Sequence, residues 1–289
     1  MNEIRPWLCS GAATADVLRT NAIRFKKRYG QNFLTDERVI GKILAAAEVG
    51  PRDFILEIGP GIGTLTQYLA DNAGKVAAVE IDSSLIPVLE KNLFCWDNVV
   101  LINDDFLNIG AKKLAEEYNE GRPIKVVANL PYYITTPIIM NILESRAPVE
   151  SVTILIQKEV AERMCASPGT KEYGALTLAV QYYSEVEIKA LVPPNCFIPR
   201  PEVTSAVVNL RMKEKTPAVK DEALLFKLIR AAFSQRRKTL VNCLRNSDEL
   251  GLSRESATEL VISCGFDENI RGEALSLEEF IRLSDKMTK

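Results

Sequence analysis

A doubly wound α/β sheet followed by a small all-helical domain is the fold class predicted for this chain. Three observations predict it. Short, near-continuously apolar runs alternate with helix-length segments over residues 54–157, as expected of parallel strands buried on both faces. Two more such runs follow, separated only by a proline-rich stretch. Beyond residue 211 the strand patterns stop and helical ones take over.

The predicted strands are residues 54–59, 76–81, 99–103, 125–130, 152–157, 187–192 and 206–211. The segments between the first five suit crossover helices, which parallel neighbours require. Pro193, Pro194, Pro199 and Pro201 leave no room for a helix between the last two. Those two are expected to form an antiparallel pair at one end of the sheet. Residues 213–217 read as a linker, and helices are expected over 224–233, 237–244, 253–264 and 276–285. Ser253 and Ser276 suit N-caps, with Glu278 and Glu279 in the last helix's first turn. The expected division is an extension over 1–20, a sheet domain over 21–212 and a helical domain over 213–289. The extension, with Trp7-Leu8-Cys9, Glu3 and Asp16, has no apolar run long enough for a signal peptide and reads as loosely ordered.

Composition narrows the chemistry. The chain of 289 residues is 47% apolar, enough for a proper core. No window approaches the roughly 18 apolar residues of a membrane span, so a cytoplasmic protein is expected. The six cysteines include no C-x-x-C pair and read as reduced, packed thiols. There is no histidine, which removes His-based general acid–base catalysis and the Ser-His and Cys-His nucleophile pairs. Net charge is −2, but it is unevenly spread. Arg19, Arg24, Lys26, Lys27 and Arg28 form one block without an acid. Residues 211–245 carry ten basic residues against three acidic ones, a net +7, and residues 246–289 carry five against ten, a net −5. Basic blocks hidden in a neutral total suggest a nucleic-acid partner, a solvated helical face being the alternative for residues 19–28.

Glu57-Ile58-Gly59-Pro60-Gly61-Ile62-Gly63 closes the first long strand and opens a helix. Glycines there let backbone approach a ligand. The dinucleotide fingerprint would need glycine at position 64, where Thr64 stands. The spacing and the acid two residues before Gly59 favour S-adenosylmethionine (SAM) instead, with an ordinary strand–helix turn as the alternative. Glu80 closes the second strand, where an acid can accept both ribose hydroxyls. Asp105 follows the third and can accept from the adenine amino group; Asp104 competes for that role. Asn129 closes the fourth.

Asn129-Leu130-Pro131-Tyr132 suits the clamping of an exocyclic amine. Adenine N6 is a poor nucleophile because its lone pair is conjugated into the ring. The Asn129 oxygen and a backbone carbonyl, that of Leu130, can hold its hydrogens. Pro131 stiffens the loop and Tyr132 offers a stacking face. Phe197 can cover the other face of the base or, alternatively, pack in the core. Because the sulfonium of SAM is a good leaving group, positioning suffices, and neither a covalent intermediate nor a metal is expected.

With these residues in view, the sequence resembles the small-subunit ribosomal RNA adenine dimethyltransferases, the bacterial kasugamycin-sensitivity dimethylases. The resemblance rests on Gly30-Gln31-Asn32-Phe33-Leu34, the 57–63 loop, residues 129–132 and Gln157-Lys158-Glu159-Val160-Ala161-Glu162-Arg163. It rests further on Tyr173-Gly174, residues 197–205 and Phe233-Ser234-Gln235-Arg236-Arg237-Lys238-Thr239-Leu240. It runs from about residue 20 to the C-terminus. It implies a SAM-dependent methyltransferase sheet of seven strands, acting on two adjacent adenosines in the 3′-terminal hairpin of 16S rRNA to give N6,N6-dimethyladenosine. It implies SAM contacts from Asn32, Leu34, Gly59, Glu80, Asp105 and Asn129, and action late in assembly on a small-subunit precursor; Gly61 of the glycine loop is expected to join the cofactor contacts. Arg236, Arg237 and Lys238 are expected to meet phosphates; a monomer is the default. Two alternatives stay open. Erythromycin-resistance methylases, which modify 23S rRNA, share the cofactor loop and an Asn-x-Pro-Tyr element. The protein can also be mainly an assembly checkpoint.

Overall fold

The computed structural model describes residues 7–23 and 30–288. Of the first basic block, Arg24, Lys26, Lys27 and Arg28 lie outside the described residues. The chain forms two compact units, one made of residues up to 161 with 186–212, the other of 162–185 with 213 onward.

In the first unit the helices are α1 (Gly11–Thr20), α2 (Glu37–Ala47), α3 (Thr64–Asn72), α4 (Ile86–Leu93), α5 (Phe106–Asn119) and α6 (Thr135–Glu144). The strands are β1 (Phe33–Leu34), β2 (Phe54–Ile58), β3 (Lys75–Glu80), β4 (Val99–Asn103), β5 (Ile124–Asn129) and β6 (Val149–Gln157). Next along the chain come α7 (Lys158–Met164), α8 (Ala175–Tyr183), β7 (Ser184–Val192), β8 (Phe197–Ile198) and β9 (Ser205–Met212). The seven expected strands are present, with ends shifted by at most three residues. Their order is β4-β3-β2-β5-β6-β9-β7. The strands β2 to β6 run parallel, and β9 pairs antiparallel to β6.

Burial explains the pattern. All five residues of β2 are buried, whereas β7 at the sheet edge alternates exposed and half-buried positions between two buried ends. Of the last two expected strands, β9 is the inner and β7 the outer, and they are neighbours at one end of the sheet. A second, two-stranded sheet was not expected. In it β1 pairs with β8, Phe33 opposite Ile198 and Leu34 opposite Phe197. Two-residue strands leave no periodicity to read.

The expectation of a loose extension does not hold for its described residues. Ser10 accepts from Ala13 N–H and starts α1. Leu8 is 4% exposed and, with Leu18, joins a core of Phe33, Ile62, Leu85 and Val88. Gln67 Oε1 accepts from Leu8 N–H at 3.0 Å, and the Trp7 ring lies 4.4 Å from that of Tyr68. Two leucines and a tryptophan anchor the segment without forming a long amphipathic stripe.

The second unit holds α9 (Glu222–Ser234), α10 (Leu240–Arg245), α11 (Arg254–Ser263) and α12 (Leu277–Met287). Ser253 caps α11, and Ser276 forms a capping box with Glu279 on α12. Helix α10 starts at Leu240 rather than 237, because Thr239 is its cap and the turn from Gln235 to Lys238 precedes it. Residues 162–185, assigned from sequence to the sheet domain, belong to this unit. Tyr182 and Tyr183 donate to the Glu222 carboxylate on α9, and the Tyr183 ring stacks on Phe226 with centroids 5.6 Å apart. Because α8 has almost no polar face, its pattern resembles that of any buried crossover helix.

Candidate active site

The carboxyl ends of β2, β3 and β5 border an open cleft, at the edge where open α/β sheets bind ligands. Residues 30–34 close one side; the glycine loop, Glu80 and residues 129–133 form the rest.

The glycine loop is built for close approach. Gly59, Gly61 and Gly63 have φ of +70°, +63° and +90°. Gly61 is the most constrained, since a Cβ there would lie 2.9 Å from the Phe33 ring. Glu80 fixes the loop from the next strand. Its Oε2 accepts from Gly61 N–H at 3.1 Å and its Oε1 from Asp82 N–H at 2.8 Å. A carboxylate has about four lone-pair directions, so each oxygen retains one for a ligand. Burial raises the Glu80 pKa, opposed by the backbone N–H donors of Asp82 and Gly61.

Glu57 lies deeper, 1% exposed, and its Oε2 has no hydrogen-bond partner among the described residues. Burial pushes its pKa up to about 8. The Thr66 hydroxyl opposes the shift, near enough to ease ionisation but outside hydrogen-bond geometry, and the Glu80 charge adds to it. An orphaned buried carboxylate oxygen in a cleft fits a cationic ligand group. The folded pKa lies above the unfolded value near 4.5. The proton is therefore held more tightly in the fold, and this contribution to stability is complete below pH about 4.5 and lost as pH rises through about 8. In the protein without ligand, Glu57→Gln is expected to flatten the fall in Tm over that window by a few °C. Thermal unfolding at pH 5, 6.5 and 8 checks this. A Tm fall as steep in the variant as in the parent would remove Glu57 as its source.

Asn129, the last residue of β5, donates from Nδ2 to the carbonyl of Asn32 at 2.9 Å. A carbonyl can only accept, so the amide orientation is settled. Asn129 Oδ1 accepts no hydrogen bond among the described residues. The Asn32 side chain in turn donates to the Gly30 carbonyl at 3.1 Å. Leu130 is buried and its N–H bonds the Leu155 carbonyl. After Pro131 a short 3-10 turn, Tyr132–Ile134, places the half-buried Tyr132 with its hydroxyl 2.7 Å from Ser205 Oγ. Tyr133 is 56% exposed, its ring against Gly30 at the cleft wall.

The structure thus gathers Asn32, Leu34, Gly59, Gly61, Glu80, Asn129, Leu130, Pro131 and Tyr132 around one cleft. Three expected residues have other engagements in the structure. Phe197 is 3% exposed, packed in the core with Leu34, Val39 and Val207, and does not line the cleft; its pairing with Leu34 holds it there. Asp105 does not line the cleft either. It caps α5 by accepting from Leu107 N–H at 2.9 Å, while Asp104 is exposed and accepts from Asp105 N–H. Arg236 is exposed yet engaged within its own unit. It donates to the carbonyl of Lys171 at 2.6 Å and pairs with Glu273 at 3.1 Å. Arg237 and Lys238 are exposed, with no side-chain hydrogen bond or ion pair among the described residues. Two contributions went unread in the sequence. Glu57 was visible as a motif acid but its isolation was not, and Asn32 acts on Asn129 through a backbone carbonyl, which no side-chain pattern reports.

A mostly parallel sheet with this glycine loop and acid-lined cleft at its carboxyl edge defines a SAM-dependent methyltransferase. The model of the ribosomal RNA adenine dimethylase family matches residues 22–289, and the chain belongs to that family. Ribosomal RNA small subunit methyltransferase A of Lachnoclostridium phytofermentans is 55% identical over 274 residues, covering 94% of each chain. That of Clostridioides difficile is 47% identical over 280 residues, covering 96% of each. Among solved structures, a dimethyladenosine transferase from Plasmodium falciparum matches with a TM-score of 0.71 at 26% identity, over 87% of this chain and 95% of its own. The 23S rRNA methyltransferase ErmE matches with a TM-score of 0.65 at 27% identity, over 89% of this chain and all of its own. The matched family span begins after α1. SAM is the methyl donor and ribosomal RNA the substrate. Among the described residues no helix is long and apolar enough to cross a membrane.

Proposed function

We propose that the protein dimethylates N6 of two adjacent adenosines in the 3′-terminal hairpin of 16S rRNA, within a small-subunit precursor. The observation that carries the chemistry is the Asn129 amide, locked on the Asn32 carbonyl so that Oδ1 is the free acceptor. That oxygen and the Leu130 carbonyl take the two hydrogens of the target amine, letting nitrogen pyramidalise toward the methyl group. Tyr132 supplies a stacking face for a base drawn out of its helix. The choice of small-subunit rRNA is supported by relatives of that name at 55% and 47% identity, against 27% for the 23S enzyme.

SAM bound in the cleft supplies an electrophilic methyl on a sulfonium. Glu57 Oε2 receives its ammonium group, Gly59 and Gly61 give backbone room, and the remaining lone pairs of Glu80 take the ribose hydroxyls. Asp105, with Oδ1 occupied by its cap bond, offers Oδ2 to the adenine amino group. Asn32 and Leu34 border the same space.

Labelled SAM, offered to small and large subunits from a strain lacking the modification, tests the substrate. Label recovered as dimethyladenosine in the small-subunit 3′ hairpin supports the proposal; label confined to large subunits overturns it. Phosphate contact is assigned to Arg237 and Lys238. Replacing both with alanine is expected to reduce the slope of log affinity against log salt by about 1.5, and Arg236→Ala mainly to lower Tm. A slope unchanged by the double replacement would exclude this pair from the RNA contact.

A further inference from the structure

The Tyr132 hydroxyl has a partner that the motif reading did not anticipate. Ser205 is the first residue of β9 and fully buried. It lies opposite Gln157 on β6, two positions past Leu155, the partner of Asn129. Its Oγ is therefore carried by strand backbone at the sheet edge where the amine clamp sits. Tyr132, in contrast, belongs to a single 3-10 turn, held by the Ile134 N–H and Thr135 Oγ1 bonds to the Pro131 carbonyl. The 2.7 Å contact joins a ring on a short turn to a post on the sheet.

We infer that Ser205 is a positioning residue for methyl transfer, holding the Tyr132 ring by its hydroxyl so that the ring face meets the target base at a fixed angle. The hydroxyl serves as the tether, and Tyr132 acts through its ring face. This rests on the proposal that Tyr132 is the base platform.

The experiment is a double-mutant cycle on methyl transfer to undermodified small subunits. Tyr132→Phe deletes the bond without touching the packing around Ser205, and Ser205→Ala deletes it from the strand side. Each is expected to lower kcat about 3- to 10-fold, as for one net hydrogen bond. The double variant should fall no further. KM for subunits and the SAM dissociation constant should stay within twofold, since neither depends on the ring angle. Losses that multiply in the double variant, or Ser205→Ala at parental kcat, overturn the inference. So does Tyr132→Phe losing far more than Ser205→Ala, which would give the hydroxyl its own chemistry. Tyr132→Ala separates the two proposals. A loss of about 10- to 100-fold keeps the ring as platform, whereas parental activity in that variant removes the platform itself.

Discussion

Asn129→Ala is expected to lose methyl transfer by about 10²–10³-fold while SAM binding falls by less than tenfold. The residue supplies an acceptor aimed at hydrogens that become more acidic as nitrogen gains positive charge. Removing one such preorganised dipole from an enzyme site typically costs this much. SAM affinity is spared because the glycine loop, Glu57 and Glu80 remain. Asn129→Asp separates aim from acceptance. The carboxylate retains an acceptor but has no N–H for the Asn32 carbonyl, which it would instead repel. It should fall between the parent and the alanine variant. Single-turnover transfer with saturating SAM, paired with calorimetric SAM binding, measures both quantities. Transfer at the parental rate in Asn129→Ala would sink the clamp.

Glu80→Gln is the second large effect. SAM affinity is expected to fall about 100-fold, and stability by about 1–3 kcal/mol. Glu80 accepts from Gly61 N–H and Asp82 N–H through different oxygens. A glutamine must turn its NH₂ toward one of them, donor against donor, so the glycine loop or the turn after β3 loses its anchor. The same change removes the negative charge and one acceptor from the ribose side of the cleft. Calorimetry and thermal unfolding report the two losses separately. If SAM bound Glu80→Gln with parental affinity, the ribose assignment would be wrong, whatever the stability change.

The parts legible from sequence share a physical cause. β2, β3, β5 and β6 are buried on both faces, so their apolar runs are continuous and their ends fall where polar residues resume. Functional side chains at those ends, such as Glu80 and Asn129, could be read because strand ends and ligand edges coincide in this architecture. Competing engagements were not legible where one residue type serves two physical roles. Arg236 has the charge expected of a phosphate contact but satisfies two carbonyls and a carboxylate of its own unit. Phe197 has the ring expected of a base cover but lies in the core beside Leu34. Residues 175–183 lacked the polar face that would have placed them with the helical unit. The extension was misjudged because Leu8, Leu18 and Trp7 are too few to set a period.

The pairing of β1 with β8 has a consequence for the order in which the enzyme becomes competent. Phe33 and Leu34 find their strand partners at Ile198 and Phe197, and the carbonyl that aims Asn129 is the one just before them, at Asn32. A nascent chain that has emerged only through β6 holds the glycine loop, Glu57, Glu80 and Asn129 itself. It lacks the strand that seats the aiming carbonyl. Methyl-transfer geometry is therefore assembled late in synthesis, after the parallel strands that hold the cofactor loop are already out.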